Sequence, residues 1–349
     1  FPYFYTYSYT RISCLSILSQ FLTEYVDQER APTRLDSDMI GWRHESPLEP
    51  SRSFRPWPHP RNPLKQDATR PPAARSRGAL VFERAAPLDL AETLDGGQAF
   101  RWRGCEDGAY VGVVARQVVR AFLKGGRLTL EGAPPAARPF WRAYFALDLD
   151  YGAIRRRLAE DPALRECLGF ARGLRVLRQE FFEALVTFIL TQNNNVPRVK
   201  GIVARLCATF GDPLGGDFEG EPAFAFPSPG RLAALDESDL ARLRAGYRVP
   251  GILDAARQVV SGRLDETALK TLPVPEARAR LLGVRGVGPK VADCVLLYGL
   301  GRFDCCPVDV WIRRALARFF PDGLPACSSG IAGIAQQYLF HYARLHGLD

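Results

Sequence analysis

A glycine-rich turn between two apolar, helix-forming segments is the feature that most constrains how this chain folds. The first segment runs to Leu282, and Gly286-Val287-Gly288-Pro289-Lys290 follows a few residues later. Glycine permits sharp turns and a close approach of the backbone to another group. Proline is favoured at the first position of a helix. The run therefore predicts a helix, a tight turn and a new helix that carries Lys290 in its first turn.

The turn and its lysine allow more than one interpretation. Backbone N–H groups at a helix start favour anions such as phosphate, which predicts a DNA-binding hairpin. The same glycines also occur in ordinary helix–helix turns and in non-enzymatic DNA-binding hairpins. A lysine at a partly buried helix start can act as a nucleophile. Asp309, placed among apolar residues after Pro307-Val308, favours this last interpretation.

The rest of the chain predicts an α+β fold, with an antiparallel sheet followed by an all-helical part. Apolar runs predict strands at 80–83, 109–114, 118–124 and 127–131, and Gly125-Gly126 forms a hairpin between the last two. From about residue 138 the periodicity becomes helical. The predicted helices are 151–159, 162–168, 179–191, 195–210, 230–235, 237–241, 247–261, 266–270, 276–281, 288–300, 306–319 and 328–346. We place the sheet domain at 79–172 and the helical domain at 173–349.

Residues 1–78 differ in composition from the remainder. They begin with the aromatic run FPYFYTYSYT and are rich in Pro, Arg and Ser over 45–77. This segment lacks the apolar periodicity of a core, so we expect it to be disordered. It has one short helix-like stretch, and a targeting peptide without a clear cleavage pattern is conceivable. No window is long and apolar enough to predict a membrane span.

Charge and cysteine content narrow the class of protein. The 349 residues carry a formal net charge of +8, which favours a polyanionic partner such as nucleic acid. The eight cysteines match no zinc spacing and no C-x6-C-x2-C-x5-C run, so we expect no cofactor, no metal and no iron–sulfur cluster. Their scatter is typical of reduced thiols in an intracellular protein. Such a protein is expected to be nuclear in a eukaryote or cytoplasmic in a bacterium, and monomeric.

Beyond the turn and the aspartate, further segments make the chain resemble the 8-oxoguanine DNA glycosylases of the helix-hairpin-helix superfamily. The resemblance covers 79–349 and keeps the order of the family's segments. They are Gly97-Gln98-Ala99-Phe100-Arg101-Trp102, Asn193-Asn194-Asn195 with Arg198, Gly246-Tyr247-Arg248, and Ala335-Gln336 with Phe340. The family implies an enzyme that acts on damaged double-stranded DNA as a glycosylase and as a lyase at abasic sites.

The resemblance implies two catalytic residues. Lys290 is expected to attack C1′ of the damaged nucleotide and to form a Schiff base, from which the 3′ phosphate is eliminated. Asp309 is expected to stabilise positive charge on the sugar and to orient the lysine. The residues alone also allow Asp309 to act as the N-cap of a helix over 310–319. The two roles are compatible.

The resemblance also implies how the lesion and the DNA are held. The flipped purine is expected to lie between Cys294 and Phe340, with its Watson–Crick edge on Gln336. The carbonyl of Gly97 is expected to accept the N7–H that 8-oxoguanine has and guanine lacks. The residues expected to bind the rest of the DNA, including the unpaired cytosine, are Asn193, Arg198, Tyr247, Arg248, Gly286, Val287 and Gly288.

Four positions depart from the family pattern, and two rival functions remain. Ala99 and Gln192 each stand where a serine is frequent. Trp311 stands where a phosphate-binding histidine is common, and Pro289 replaces a hydroxyl residue before the lysine. One rival is a glycosylase for alkylated or other damaged bases. The other is a catalytically silent DNA-binding protein. Gln336, Phe340 and Gly97 argue against the first rival, and Lys290 argues against the second.

Overall fold

The computed structural model describes residues 78–215 and 222–347. The predicted disordered extension therefore lies outside the described residues, apart from Gly78. No helix of the described part is long and apolar enough to cross a membrane. The predicted order of a sheet followed by helices is confirmed, whereas the division at 172/173 stays a prediction.

The first part of the described chain is a five-stranded antiparallel sheet in the order β1-β5-β4-β3-β2. Its strands are Ala79–Phe82 (β1), Trp102–Gly104 (β2), Tyr110–Val114 (β3), Gln117–Lys124 (β4) and Arg127–Glu131 (β5). The predicted Gly125-Gly126 hairpin joins β4 to β5, and both glycines have positive φ. Ala115 and Arg116 also have positive φ between β3 and β4, which is the backbone of a two-residue hairpin turn.

Aromatic side chains fill the space between this sheet and two helices, Leu90–Leu94 (α1) and Arg138–Tyr144 (α2). Trp102 is buried, and its Nε1 donates to the hydroxyl of Tyr144 at 2.8 Å. Gly112 lies opposite Trp102 in the sheet, where a Cβ would stand 2.5 Å from the indole. The sheet therefore requires glycine at 112 so that the indole can lie across it. Helix α2 was absent from the predicted helices.

The second part is helical apart from one small hairpin of Pro213–Leu214 and Ala223–Phe224. Its helices are Tyr151–Leu158 (α3), Pro162–Phe170 (α4), Phe181–Leu190 (α5), Val196–Phe210 (α6), Pro229–Ala233 (α7), Val249–Val260 (α8), Glu266–Thr271 (α9), Val274–Leu282 (α10), Pro289–Cys294 (α11), Val310–Phe319 (α12) and Ala332–His346 (α13). Single 3₁₀ turns precede α2, α8 and α13, and another covers Ala241–Leu243 in place of the predicted helix 237–241.

Side-chain caps fix where several of these helices begin. Asp309 accepts from the N–H of Ile312, so α12 begins at Val310 and not at the predicted residue 306. Asp150 caps α3 in the same way, with 2.8 Å between its Oδ1 and the N–H of Ala153. A carboxylate satisfies one of the unpaired N–H groups of a helix start, so the sequence determines each start locally.

Helix α5 is the centre of the helical part, because almost every residue in it is buried. Helix α11 packs against it and continues as one π-helical turn over Val295–Gly299. The wider turn lets the carbonyl of Tyr298 accept the N–H of Gln179 at 2.7 Å, just before α5 begins. The predicted helix 288–300 is thus present, with a change of winding directly after Cys294.

Candidate active site

Lys290 lies in the first turn of α11 and points towards the end of α5. Its Nζ donates to the hydroxyl of Thr191 at 3.3 Å and stands 5.6 Å from the centroid of the Phe188 ring. The hydroxyl of Thr191 donates in turn to the carbonyl of Phe188 at 2.7 Å. The threonine oxygen therefore has its proton committed to α5 and accepts from the amine. These contacts hold the amine at one place beside an aromatic ring.

Asp309 lies just before α12 and has the capping role that the residues allow. Its Oδ1 accepts the N–H of Ile312 at 2.8 Å. The aspartate also lines the same cavity as Lys290. The prediction of an N-cap is confirmed, and the carboxylate is at the same time available at the cavity that the amine faces.

A small cavity brings the two catalytic candidates and all four predicted base-recognition residues together. It encloses about 40 Å³, which is room for a few water molecules. Its walls come from the loop after α1, from helices α5, α11 and α13, from the π-helical turn after α11 and from the segment before α12. The lining residues are Gly97, Phe188, Lys290, Cys294, Tyr298, Pro307, Asp309, Gln336, Gln337 and Phe340.

Two consecutive glutamines in α13 face this cavity in very different states. Gln337 is buried and hydrogen-bonded through both amide atoms: its Oε1 accepts from the Tyr298 hydroxyl and its Nε2 donates to the carbonyl of Gly96 at 3.2 Å. Gln336 is 4% exposed, and no group within the described residues donates a hydrogen bond to its Oε1. A buried amide oxygen without a donor costs free energy in the unbound protein. The cavity therefore contains an acceptor that lacks a donor.

Cys294 forms an apolar wall one helical turn after Lys290. It is 2% exposed, and burial raises the pKa of its thiol to about 11, although the nearby Lys290 acts in the opposite direction. The thiol is therefore neutral at pH 7. A neutral sulfur packs well against a flat ring and does not pair with the amine as a thiolate would.

Gly97 has a positive φ of 82°, and the Phe340 ring covers it. The loop that carries it is held by its neighbour Gln98, which is completely buried. The amide group of Gln98 donates to the carbonyls of Thr93 and Arg175, at 2.8 Å each, and its oxygen accepts an N–H from the segment that leads to α5. A buried side chain with all of these bonds made fixes the path of the backbone at Gly97.

The three asparagines before α6 divide their roles. Asn195 is the N-cap of α6, and Asn194 donates to the carbonyl of Leu190 at 2.8 Å. Asn193 is exposed and has a positive φ of 46°. Its amide donates to the hydroxyl of Tyr247, a side chain that is 62% exposed. Two of the asparagines therefore form the turn and the cap before α6, while Asn193 and Tyr247 project together into solvent.

The two predicted cytosine-reading arginines are placed differently. Arg198 is exposed in the first turn of α6. Arg248 is 6% exposed, and its guanidinium donates to the carbonyls of Gln192, Asn193 and Ala245. In this state Arg248 supports the turn beneath Asn193, and its donors must leave these carbonyls before they can reach a base.

The glycine-rich turn between α10 and α11 forms as predicted, with one correction. Gly286 has a φ of 74°, and Gly288 precedes α11 without a side-chain cap. The sequence predicts that Val287 also offers its N–H to phosphate. That N–H instead donates to the carbonyl of Val284 at 3.0 Å, because it closes the turn. Among the described residues, the N–H groups of Gly286 and Gly288 donate to no backbone carbonyl.

Several residues of the site escaped the sequence analysis. Thr191, Phe188, Tyr298 and Gln337 all contact the cavity or its lysine, yet no local motif points to them. The one available signal was Gln337, because a second polar residue beside Gln336 is unusual in a buried helix. Within 78–215 and 222–347 no group of three or more His, Cys, Asp or Glu side chains is placed to hold a metal ion.

Comparison with known families agrees with this fold and cavity. Residues 80–185 match the model of the 8-oxoguanine DNA glycosylase N-terminal domain. Residues 186–323 match the model of the HhH-GPD superfamily base excision DNA repair protein, so the class of protein is that of the helix-hairpin-helix repair proteins.

Individual relatives narrow the class. The N-glycosylase/DNA lyase of Saccharomyces cerevisiae is 30% identical over 273 residues, which are 69% of this chain and 70% of the relative. The solved structure of MBOgg1 in complex with a low affinity DNA ligand has a TM-score of 0.73 at 37% identity, with 78% of this chain and 98% of that chain covered. The 8-oxoguanine glycosylase/lyase of Clostridium acetobutylicum, in complex with DNA containing cytosine opposite 8-oxoG, has a TM-score of 0.70 at 31% identity, with 74% and 93% covered.

The chain belongs to the N-glycosylase/DNA lyase family of 8-oxoguanine DNA glycosylases. The predicted family and the predicted enzyme class, a DNA repair glycosylase with lyase activity, are thereby confirmed.

Proposed function

We propose that the chain removes 8-oxoguanine from duplex DNA opposite cytosine and then cleaves the strand through a Schiff base on Lys290. One observation carries the proposal: Gln336 presents an unpaired acceptor to the cavity that Lys290 faces. The Watson–Crick edge of a guanine-type base carries N–H donors, which this acceptor needs. Base flipping is required to bring that edge to the glutamine.

Discrimination between 8-oxoguanine and guanine falls to the carbonyl of Gly97. Oxidation of guanine places a hydrogen on N7, and a fixed carbonyl accepts this hydrogen but repels the lone pair of unmodified guanine. The rigid loop supports this role, because Gln98 on one side and Gln337 on the other restrain the backbone around Gly97. A carbonyl that could turn away would lose the discrimination.

The purine then packs between Cys294 and Phe340. The cavity is open to solvent on one side, and the nucleotide enters from that side. Phe340 is only partly buried and covers Gly97, and rotation of its ring opens the entrance. The neutral thiol of Cys294 forms the opposite wall.

The chemistry proceeds from the amine of Lys290. The neutral amine attacks C1′ of the sugar, the bond from C1′ to the base breaks, and the base leaves with the electron pair and takes up a proton. The amine loses a proton and the sugar ring opens to a protonated imine. Loss of a proton from C2′ then expels the 3′ phosphate. The carboxylate of Asp309 stabilises the positive charge that develops on the sugar in the first step.

Specificity for the opposite base is assigned to the exposed surface at Asn193 and Tyr247. Asn193 fills the space that the flipped nucleotide leaves, and Tyr247 wedges into the base stack beside it. Arg198 is free to donate to the acceptor edge of cytosine, and Arg248 joins it once released from the carbonyls that hold it. Gly286 and Gly288 offer N–H groups to a phosphate of the same duplex.

Base release under single-turnover conditions tests the proposal. Duplexes with 8-oxoguanine opposite each of the four bases are compared with a guanine–cytosine duplex and with one that contains 3-methyladenine. We expect 8-oxoguanine opposite cytosine to be released fastest and guanine not to be released. Preferential release of 3-methyladenine would contradict the proposal and favour the rival glycosylase function.

A further inference from the structure

Arg344 lies at the rim of the cavity, in the last turn of α13. It follows Phe340 by one helical turn, so the two side chains share a face. The carbon of its guanidinium stands 5.6 Å from the centroid of the Phe340 ring. Its Nη1 is 3.7 Å from the place where a Cβ on Gly97 would stand. The guanidinium therefore lies beside two of the residues that line the cavity.

Within the described residues no carboxylate forms an ion pair with Arg344. The carboxylate that influences it, Asp95, is already engaged by Lys200 at 2.7 Å and by the hydroxyl of Tyr110 at 2.7 Å. Neighbouring groups desolvate the guanidinium enough to lower the pKa of Arg344, while the residue as a whole stays exposed, so the charge remains open to an incoming anion. A partly desolvated cation of this kind favours an anionic ligand.

Neither the helix dipole nor stacking on an aromatic ring explains why the guanidinium of Arg344 lies where it does. A basic residue in the last turn of a helix is favoured by the helix dipole, but the dipole does not fix where the guanidinium lies. Stacking on phenylalanine also occurs at Arg318, which lies 5.3 Å from the ring of Phe319 on α12, but Phe319 does not line the cavity, whereas Phe340 does. What distinguishes Arg344 is its place at the entrance through which a flipped nucleotide must pass.

We propose that Arg344 binds a phosphate next to the flipped nucleotide and so holds the sugar–phosphate backbone over the cavity. The proposal rests on the function proposed above, because it requires a nucleotide in this cavity. The planar guanidinium matches the oxygens of a phosphate and can donate two bonds to it. Because the contact forms only when a nucleotide leaves the stack, it adds to the affinity for damaged DNA and not to the affinity for intact duplex.

A duplex that contains a tetrahydrofuran abasic analogue tests this role, because the analogue supplies the phosphates and the sugar without a base or a cleavable bond. Affinities of the wild type and of Arg344→Gln are measured for this duplex and for an intact duplex over a range of salt concentrations. Arg318→Gln is the matched control. Arg344→Lys tests whether a positive charge is enough for phosphate binding without the two bonds that a guanidinium can donate.

We expect Arg344→Gln to weaken binding of the abasic duplex about 5- to 10-fold and to reduce the slope of log affinity against log salt by about 0.9, the value for one phosphate contact. Binding of the intact duplex should change less than about twofold. On the abasic duplex, Arg344→Lys should bind with an affinity between those of the wild type and Arg344→Gln, and Arg318→Gln should bind like the wild type. An unchanged salt slope, or an equal loss on both duplexes, would overturn the proposal. A wild type that does not prefer the abasic duplex would instead count against the proposed function itself.

Discussion

The amine of Lys290 donates a hydrogen bond to the hydroxyl of Thr191, with 3.3 Å between Nζ and Oγ1. Lys290 lies in α11 and Thr191 is the C-cap of α5, so the bond fixes the amine relative to the cavity. A nucleophile that is held in place reacts faster than one that samples many rotamers. Thr191 is therefore a positioning residue for the proposed reaction.

Thr191→Val should slow the formation of the covalent adduct about 10-fold, because the amine loses its acceptor. Thr191→Ser keeps the hydroxyl and should retain most of the rate. Thr187→Val is the control: its hydroxyl bonds only to carbonyls of α5 itself. Single-turnover kinetics with the lesion duplex measure the effect. Equal slowing by the two valine variants would show a general disturbance of α5.

The neighbouring glutamines of α13 should respond to substitution with opposite signs. Gln336→Met removes an unpaired buried oxygen and should raise the free energy of unfolding by up to about 1 kcal/mol, whereas Gln337→Met breaks two bonds and should lower it by about 1–3 kcal/mol. Chemical denaturation measures both. Gln336→Met should also weaken binding of 8-oxoguanine duplex at least 10-fold. A loss of stability in Gln336→Met would contradict our account of its oxygen.

Asp309 combines a helix cap with a charge, and two variants separate these roles. Asp309→Asn keeps the cap, since Asn caps helices as well as Asp does, but it removes the carboxylate. We expect the excision rate to fall about 10- to 100-fold with binding and stability nearly unchanged. In Asp309→Ala the excision rate should fall by the same factor, and the free energy of unfolding should also fall by about 1 kcal/mol.

The capping residue Asp150 provides the control for Asp309. Asp150→Ala should lose about 1 kcal/mol of stability through α3 and keep the rate. If Asp309→Asn excised the base at the rate of the wild type, Asp309 would serve as a cap alone.

Cys294 should resist alkylation at neutral pH. Burial raises the pKa of its thiol to about 11 from a usual value near 9. At pH 8 its thiolate fraction is therefore about 100-fold lower than that of a free thiol, and it should rise as the pH increases towards 11. Peptide mapping after iodoacetamide treatment of the native protein measures this profile. Rapid modification of Cys294 at pH 7 would show that the side chain is a thiolate and would contradict our conclusion that this wall of the cavity is a neutral thiol.

The sequence predicted what depends on neighbouring residues. The turn before Lys290, the cap at Asp309 and the hairpin at Gly125-Gly126 all follow from local chemistry, and their elements form as expected. The family motifs then identified the six cavity residues that lie on α11, on α13, before α12 and in the loop at Gly97.

The sequence missed the contacts that only the tertiary fold creates. Thr191 lies 99 residues from Lys290, and Gln337 lies 39 residues from Tyr298, so neither partner can be read from a local pattern. The amide of Val287 was misjudged for the opposite reason: its partner is three residues away, in a turn whose internal bonding depends on the exact backbone angles. Arg248 is predicted to contact the unpaired cytosine, but its guanidinium instead donates to backbone carbonyls that are remote from any sequence pattern.

Borohydride trapping with 8-oxoguanine duplex tests the assignment of Lys290 most directly. Borohydride reduces a Schiff base to a stable amine, and mass spectrometry then identifies the lysine that carries the DNA. We predict an adduct on Lys290, its absence in Lys290→Gln, and wild-type yield in the control Lys270→Gln, whose lysine pairs with Glu266 on the surface. An adduct on another lysine, or undiminished trapping by Lys290→Gln, would contradict the account.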